Sequence, residues 1–107
     1  MVDLRILTPA QCELEEIAQL HLRLVGANSA RNITDLILDA LSQLEKYPLS
    51  GPPLRDKDLR SCGYRYVIAG KYICIYRLVG DTVFVYHIAH GASNYPALFK
   101  SLLRHEE

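Results

Sequence analysis

The chain has 107 residues, half of them hydrophobic and 22% charged, and 12 basic and 12 acidic side chains give it a formal net charge of zero. This length and balance are typical of one globular domain spanning residues 1–107, and they differ from the low hydrophobicity of a disordered chain. No apolar run reaches the roughly 18 residues that a membrane-spanning helix needs, so we expect no membrane association.

Charge is unevenly distributed along the chain. Residues 1–53 contain four Lys or Arg and seven Asp or Glu, whereas residues 54–107 contain eight and five. The more basic C-terminal half could face an acidic protein segment or nucleic acid, although ordinary solvated side chains explain the imbalance equally well. Its excess of three positive charges is far below the basicity of typical nucleic-acid-binding domains, so we expect no direct nucleic-acid specificity.

The three cysteines, Cys12, Cys62 and Cys74, form no Cys-x-x-Cys pair. An odd number without such a pair predicts neither a disulfide framework nor a zinc site. We expect all three to be small buried side chains in the reducing environment of a cytoplasm.

The N-terminal half begins with a predicted strand and a first helix. Residues 2–7 alternate well enough for a strand. Thr8 is expected to cap the helix, with Pro9 in its first position, Gln11 completing a capping box, and Gly26 ending it. The apolar stripe of this helix consists of Leu14, Ile17, Ala18, Leu22 and Val25.

A second amphipathic helix is predicted to begin with a cap at Asn28 or Ser29 and to stop at Tyr47 and Pro48. Its apolar positions are Ala30, Ile33, Leu36, Ile37, Ala40, Leu41 and Leu44. Two such helices joined by about three residues must fold back on each other to bury their stripes, which predicts an antiparallel hairpin. The prolines and glycine of residues 48–53 then form a loop that crosses to the sheet.

From residue 59 onward the apolar side chains recur with a period of two. Gly70 and the pair Gly80-Asp81 supply two tight turns, so strands near 59–69, 72–78 and 82–89 form an antiparallel meander. The middle strand is apolar on both faces, which indicates that the helical hairpin covers one side and a last helix at 94–103 partly covers the other. The predicted fold is α+β in the order β-α-α-β-β-β-α, a helical hairpin packed on a mainly antiparallel sheet.

The C-terminal half also carries an ordered set of short motifs. They are Leu59-Arg60, Gly63-Tyr64-Arg65, Gly70, Tyr76-Arg77, His90-Gly91 and Asn94-Tyr95. This set resembles the ParE/RelE superfamily, the toxins of bacterial type II toxin–antitoxin pairs. The spacing Gly-Tyr-Arg, four residues, Gly, five residues, Tyr-Arg is closer to the ParE branch, which implies a single toxin domain over residues 1–107.

The ParE resemblance implies a protein that acts by binding. ParE toxins poison DNA gyrase and trap it on cleaved DNA without an enzymatic site, and a ParD-like antitoxin neutralises them with a flexible arm that folds on the toxin. The resemblance therefore implies a cytoplasmic toxin with no cofactor and no metal. The assembly stays open between a homodimer and a hetero-oligomer with the antitoxin, and a degenerate toxin that keeps only its antitoxin surface is a further reading.

The alternative is a RelE-like ribosome-dependent mRNA endoribonuclease, whose site needs a general acid, a general base and a cationic clamp. Two family positions that are typically arginine correspond here to Ile73 and to Ser93 or Ala92, none of which carries charge. The resemblance thus implies no catalytic residues. A rearranged ribonuclease pocket would have to use Arg65, Arg77, His90 and Tyr95.

Other features of the strand half have less specific interpretations. His87 and His90 are an odd number of residues apart, so they are expected on opposite faces of a strand and make a poor metal pair. The tyrosines Tyr64, Tyr66, Tyr72 and Tyr76 are expected to pack the sheet rather than to stack on bases.

The candidates for contacts with the target or the antitoxin are Arg60, Arg65, Arg77, His90, Tyr95, Lys100 and Arg104. An arginine in a central strand either meets a carboxylate inside the fold or points into a binding groove. For Arg65 and Arg77 the sequence leaves both alternatives open.

Overall fold

The computed structural model describes residues 1–106, except for the side chains of residues 102 and 104–106. Its elements are β1 (Asp3–Ile6), α1 (Thr8–Leu24), α2 (Ala27–Ser42), a 3-10 turn (Gln43–Glu45), α3 (Lys57–Ser61), β2 (Arg65–Ala69), β3 (Tyr72–Val79), β4 (Thr82–His90) and α4 (Tyr95–Glu106). None of the described helices is long and apolar enough to span a bilayer.

The four strands form one sheet in the order β1-β4-β3-β2. β2, β3 and β4 are an antiparallel meander, whereas β1 runs parallel to β4 with Asp3 opposite Thr82. The α+β class and the mainly antiparallel sheet are therefore confirmed, and the predicted element order is confirmed with α3 as an addition.

The central strand β3 divides two apolar cores, as its sequence predicts. Cys74 and Tyr76 are completely buried on the side of α1 and α2, in what we call the hairpin core. On the other side lies the α4 core, whose buried members are Leu54, Leu59, Tyr64, Ile75 and Phe99. Burial raises the pKa of the Cys74 thiol to about 12, so this cysteine is uncharged packing material.

The loop before α3 is tied to the sheet by buried polar contacts. The backbone N–H of Gly51 donates to the Tyr76 hydroxyl at 3.0 Å, and Arg65 Nη1 donates to the Gly51 carbonyl at 2.8 Å. Burial raises the pKa of the Tyr76 hydroxyl, while the Gly51 N–H and the charge of Arg65 act in the opposite direction. These contacts fix the path of the chain beside β2.

Replacing Tyr76 by phenylalanine is expected to lower the free energy of unfolding by about 1–3 kcal/mol, because the buried Gly51 N–H loses its acceptor. Urea denaturation measures this change. The matched control is Tyr47→Phe, since Tyr47 is 62% exposed and its variant should unfold with the wild-type midpoint. Equal midpoints for the two variants would contradict the contact.

The prediction that a strand begins at residue 59 is wrong. Residues 57–61 form α3, because Asp56 caps this short helix by accepting from the N–H groups of Asp58 and Leu59, both at 3.1 Å. Strand β2 begins only at Arg65. The other two predicted strands differ from β3 and β4 by a single residue at one end.

The helix caps also differ from the predictions. Thr8 lies inside α1 and makes no cap, because Leu7 is the N-cap residue and the Gln11 side chain donates to the Ile6 carbonyl at 2.7 Å instead. Gly26, at φ 142°, is the N-cap of α2 in place of Asn28 or Ser29. The helices are therefore joined more tightly than expected.

Several predicted core positions lie at the surface. Leu22 is 45% exposed and Val25 is 75% exposed, whereas Ile17 of the same apolar stripe is buried in the hairpin core. Cys12 and Cys62 are exposed as well, so the expectation of burial holds for Cys74 alone among the three.

Candidate functional site

A β-bulge shapes the sheet on the side of α4. Ile75 lies opposite His87, while the next residue, Tyr76, lies opposite Val85, so Tyr86 is an extra residue in β4. Bulges bend a strand and re-aim its side chains. Here Tyr86 packs against the α4 core beside Arg77.

Arg77 is held between aromatic rings. Its guanidinium carbon lies 4.7 Å from the ring centroid of Tyr64 and 5.4 Å from that of Tyr86, and Nη2 donates to the Tyr86 hydroxyl at 3.0 Å. Nη1 donates weakly to the Cys62 carbonyl at 3.4 Å, and Nε is buried without a hydrogen-bond partner in the described part of the chain. Cation–π contacts thus position the charge, and no described carboxylate pairs with it.

Arg65 lies on the opposite face of the sheet from Arg77. It is opposite Tyr76, whose side chain belongs to the hairpin core, and it donates to loop carbonyls instead of meeting a carboxylate. The structure therefore does not bring Arg65 and Arg77 into one pocket. Arg65 supports the loop, and Arg77 supports the α4 side.

His90 ends β4 beside Tyr72. Its ring meets the Tyr72 ring edge-on at 5.6 Å, and its Nδ1 accepts from the N–H of Ala92 at 3.1 Å. An accepting Nδ1 places the proton of the neutral ring on Nε2. The Tyr72 hydroxyl is itself 3.2 Å from Nε2 of His21, whose Nδ1 lies 2.9 Å from the Ser29 hydroxyl. These contacts join the turn after β4 to the helical hairpin.

His87 is buried on the α4 side and stacks on Phe99 with ring centroids 5.9 Å apart. Its Nδ1 contacts the carboxylate of Glu13, which also accepts from the Ile88 N–H at 3.1 Å. Glu13 therefore covers the outer edge of β4 beyond the end of β1. Among the described residues no three His, Cys, Asp or Glu side chains form a group that could hold a metal ion.

Two cations share a pocket near the turn between β2 and β3. This basic pocket, of about 300 Å³, is lined by Arg55, Tyr66, Ile68, Gly70, Lys71, Tyr72, Ile73, Gly91 and Tyr95. No carboxylate lines it. Its two cationic side chains make no salt bridge within the described residues. The pocket can therefore attract an anionic group.

The basic pocket joins predicted and unpredicted residues. Tyr95, one of the residues that the sequence analysis selected, lines this pocket together with Ile73, which is only 5% exposed and carries no charge. Neither Arg55 nor Lys71 is among the residues that the sequence singles out. Lys71 lies in a recognisable glycine turn, but the position of Arg55 depends on the path of an irregular loop.

The remaining candidates lie around α3 and α4. Lys100 contacts the carboxylates of Asp56 at 2.8 Å and Asp58 at 3.1 Å. The hydrogen bond to Asp56 is the main cause of a raised Lys100 pKa, and the same bond lowers the pKa of Asp56. Arg60 is exposed, and the side chain of Arg104 lies outside the described residues. Lys100 is thus occupied in joining α4 to the cap of α3.

Comparisons with known proteins agree with this architecture. Residues 4–95 match the family model for the ParE toxin of the type II toxin–antitoxin system parDE. A chain from the chromosomal ParDE system of P. aeruginosa superposes with a TM-score of 0.71 at 18% identity, covering 84% of this chain and 96% of that one.

A chain from the toxin–antitoxin complex RelBE2 of Mycobacterium tuberculosis superposes with a TM-score of 0.61 at 22% identity, covering 83% of this chain and 96% of that one. No curated protein matches the sequence. At these sequence identities the two superpositions support a shared fold and nothing further.

Proposed function

The chain belongs to the ParE toxin family of type II toxin–antitoxin systems, and from this membership we propose that it poisons DNA gyrase by binding it. A ParD-like antitoxin holds it silent, and both act in the cytoplasm. On this proposal the chain is not an enzyme and needs no cofactor. It acts through surfaces that bind other proteins.

The separation of Arg65 from Arg77 supports binding over RNA cleavage. Cleaving RNA requires a base, an acid and a cationic clamp around one phosphate. The two arginines best placed by sequence lie on opposite faces of the sheet, and Ile73 contributes no charge to the pocket that also contains Tyr95. A protein that acts by binding does not need these groups to lie in one pocket.

A RelE-like ribonuclease is the second candidate, and the basic pocket is the observation that favours it. Arg55 and Lys71 place two cations near Tyr95, and a phosphate could enter there. In that case Arg77, His90 and Tyr95 would be the further residues to replace. Loss of message cleavage in such variants would support this candidate.

Inducible expression in a bacterium distinguishes the two functions. For a gyrase poison we expect filamentous cells, a DNA-damage response and intact messages, and we expect the purified chain to inhibit supercoiling and accumulate cleaved DNA bound to gyrase. The control is the same gene with an early stop codon. Messages cut during translation would instead identify a ribonuclease, and unaffected growth would identify a chain that has lost toxicity.

A further inference from the structure

Ser29, His21 and Tyr72 form a chain of polar contacts at one end of the helical hairpin. The Ser29 hydroxyl lies 2.9 Å from Nδ1 of His21, and Nε2 of the same ring lies 3.2 Å from the Tyr72 hydroxyl. We propose that Ser29 is a modification site whose hydroxyl accepts a short acyl group from an activated ester or thioester, with His21 as the base. This inference goes beyond the proposed function, because it concerns a covalent change of the chain itself.

The position of Ser29 beside an imidazole sets it apart from the other serines. Among the described residues, the hydroxyls of Ser42, Ser61 and Ser93 donate to backbone carbonyls at 2.8, 2.8 and 2.6 Å. A carbonyl oxygen is too weak a base to take up the hydroxyl proton, whereas a neutral imidazole nitrogen can take it. An adjacent general base is what converts a weak hydroxyl into a nucleophile.

Three elements hold this chain of contacts in place. His21 lies in the last turn of α1, Ser29 lies in the first turn of α2, and Tyr72 begins β3. Tyr72 is 8% exposed, and its ring centroid lies 6.1 Å from that of His21. When Nε2–H of His21 donates to the Tyr72 oxygen, Nδ1 keeps its lone pair for the Ser29 hydroxyl. Tyr72 is thus a positioning residue for the base.

A pocket beside Ser29 selects the group that it can take. This helix-end pocket, of about 380 Å³, is lined by His21, Ser29, Asn32, Ile33 and Leu36. None of the described residues that line it is an Asp, Glu, Lys or Arg, so a phosphoryl group would meet no cation there. Ile33 and Leu36 provide apolar walls. An uncharged acyl group with a short alkyl chain therefore fits this pocket better than a phosphoryl group.

The transfer forms one bond and breaks one bond at the carbonyl carbon. Ser29 Oγ bonds to this carbon while its proton passes to Nδ1 of His21. The tetrahedral intermediate then loses its leaving oxygen or sulfur, which takes the proton from His21, so the products are the Ser29 ester and an alcohol or thiol. The N–H groups of Asn28 and Ser29 have no acceptor among the described residues, and the helix end that carries them favours the negative charge of the intermediate.

A purely structural network would use the opposite arrangement of protons. Tyr72 would donate to Nε2 of His21, and Nδ1–H would donate to the Ser29 oxygen. The same distances fit that arrangement, but the serine would then face a donor and stay unreactive. The reactivity of Ser29 distinguishes the two arrangements.

The test incubates the purified full chain with p-nitrophenyl butyrate, an activated ester. We expect a burst of nitrophenolate equal to the amount of protein, and we expect peptide mass spectrometry to find the butyryl group on Ser29. Ser42 and Ser93 are controls within the same chain and should stay unlabelled. Ser29→Ala should abolish the burst, whereas Ser42→Ala should keep it, because the Ser42 hydroxyl bonds only to the Asp39 carbonyl.

Replacing the two partners of Ser29 tests their roles. His21→Ala should slow acylation at least about a hundredfold, as expected for loss of a general base. Added imidazole should restore part of the rate, which it would not do for a residue that only supports the fold. Tyr72→Phe should lower the rate at saturating ester and leave the half-saturating concentration unchanged, because it affects the orientation of the base and not the pocket.

Several results would overturn the proposal. They are labelling spread over lysines and exposed serines without preference, a butyryl group on Tyr72, and an unchanged rate in His21→Ala. Melting curves followed by circular dichroism show whether each variant is folded. If His21→Ala is not, His21→Gln takes its place, and wild-type acylation by that variant would equally reject the base. Failure of the gyrase proposal leaves this inference untouched, since the test requires no target and no antitoxin.

Discussion

Replacing Phe99 by alanine is expected to lower the free energy of unfolding by about 3–5 kcal/mol. Phe99 is 2% exposed, meets the Tyr64 ring edge-on at 5.0 Å and stacks on His87. Among the α4 side chains that the structure describes, Phe99 is the buried one in the α4 core. Removing the ring leaves a cavity between helix and sheet, so we also expect α4 to detach more readily.

Urea denaturation and amide exchange of α4 measure the two effects of Phe99→Ala. The control is Leu98→Ala, which changes the preceding residue of the same helix, because Leu98 is 53% exposed and its loss should cost less than about 1 kcal/mol. Since a small domain has only about 5–15 kcal/mol of stability, this change should remove a large fraction of it. Similar midpoints for the two variants would contradict this packing of α4 on the sheet.

Gly51→Ala is expected to destabilise the chain by about 3 kcal/mol, because a side chain at this position has no space. An added Cβ would lie 2.2 Å from the Tyr66 carbonyl oxygen and 2.8 Å from the Tyr76 hydroxyl. The first neighbour is backbone of a paired strand, so it cannot move aside cheaply. The loop must shift, and its hydrogen bonds to Tyr76 and Arg65 are then lost.

Thermal and urea unfolding report the effect of Gly51→Ala. The control is Gly91→Ala, since a Cβ there would make an ordinary contact of 3.4 Å with the Lys71 carbonyl. We expect the control variant to lie within about 1 kcal/mol of wild type. A Gly51 variant as stable as this control would mean that the loop adjusts without loss.

The sheet was largely predictable, because the apolar residues of β3 occupy both faces and only a covered central strand tolerates that pattern. The wrong strand prediction at residues 59–64 has a local cause. Leu59 fits a strand pattern, but the Asp56 carboxylate offers two N–H groups an acceptor, and a helical turn forms instead. The periodicity of two therefore begins later than the apolar residues suggest.

The separation of Arg65 from Arg77 follows from strand register, which the sequence contains. The tight turn at Gly70 and Lys71 pairs Ala69 with Tyr72, and counting back from that pair places Arg65 opposite Tyr76. Neighbouring residues of a strand point to opposite faces, so Arg77 must point away from Arg65. The turn and the alternation of side chains are thus sufficient to separate these two residues.

The basic pocket was not predictable in the same way. Arg55 reaches it through a loop whose path depends on Gly51, Arg65 and the Tyr76 hydroxyl, which are far apart in sequence. Turn rules describe local geometry, and they do not place an irregular loop against a strand. Only the packed structure brings Arg55 into the same pocket as Lys71.

The parallel pairing of β1 with β4 also bears on how the chain folds during its synthesis. Asp3 has its strand partner at Thr82, so β1 must wait for β4, which follows all the other described strands in the chain. Closing so long a loop costs entropy before the contact repays it, and this slows folding. The sheet can therefore be completed only after the residues of β4 are available for pairing, whatever has already formed between β2 and β3.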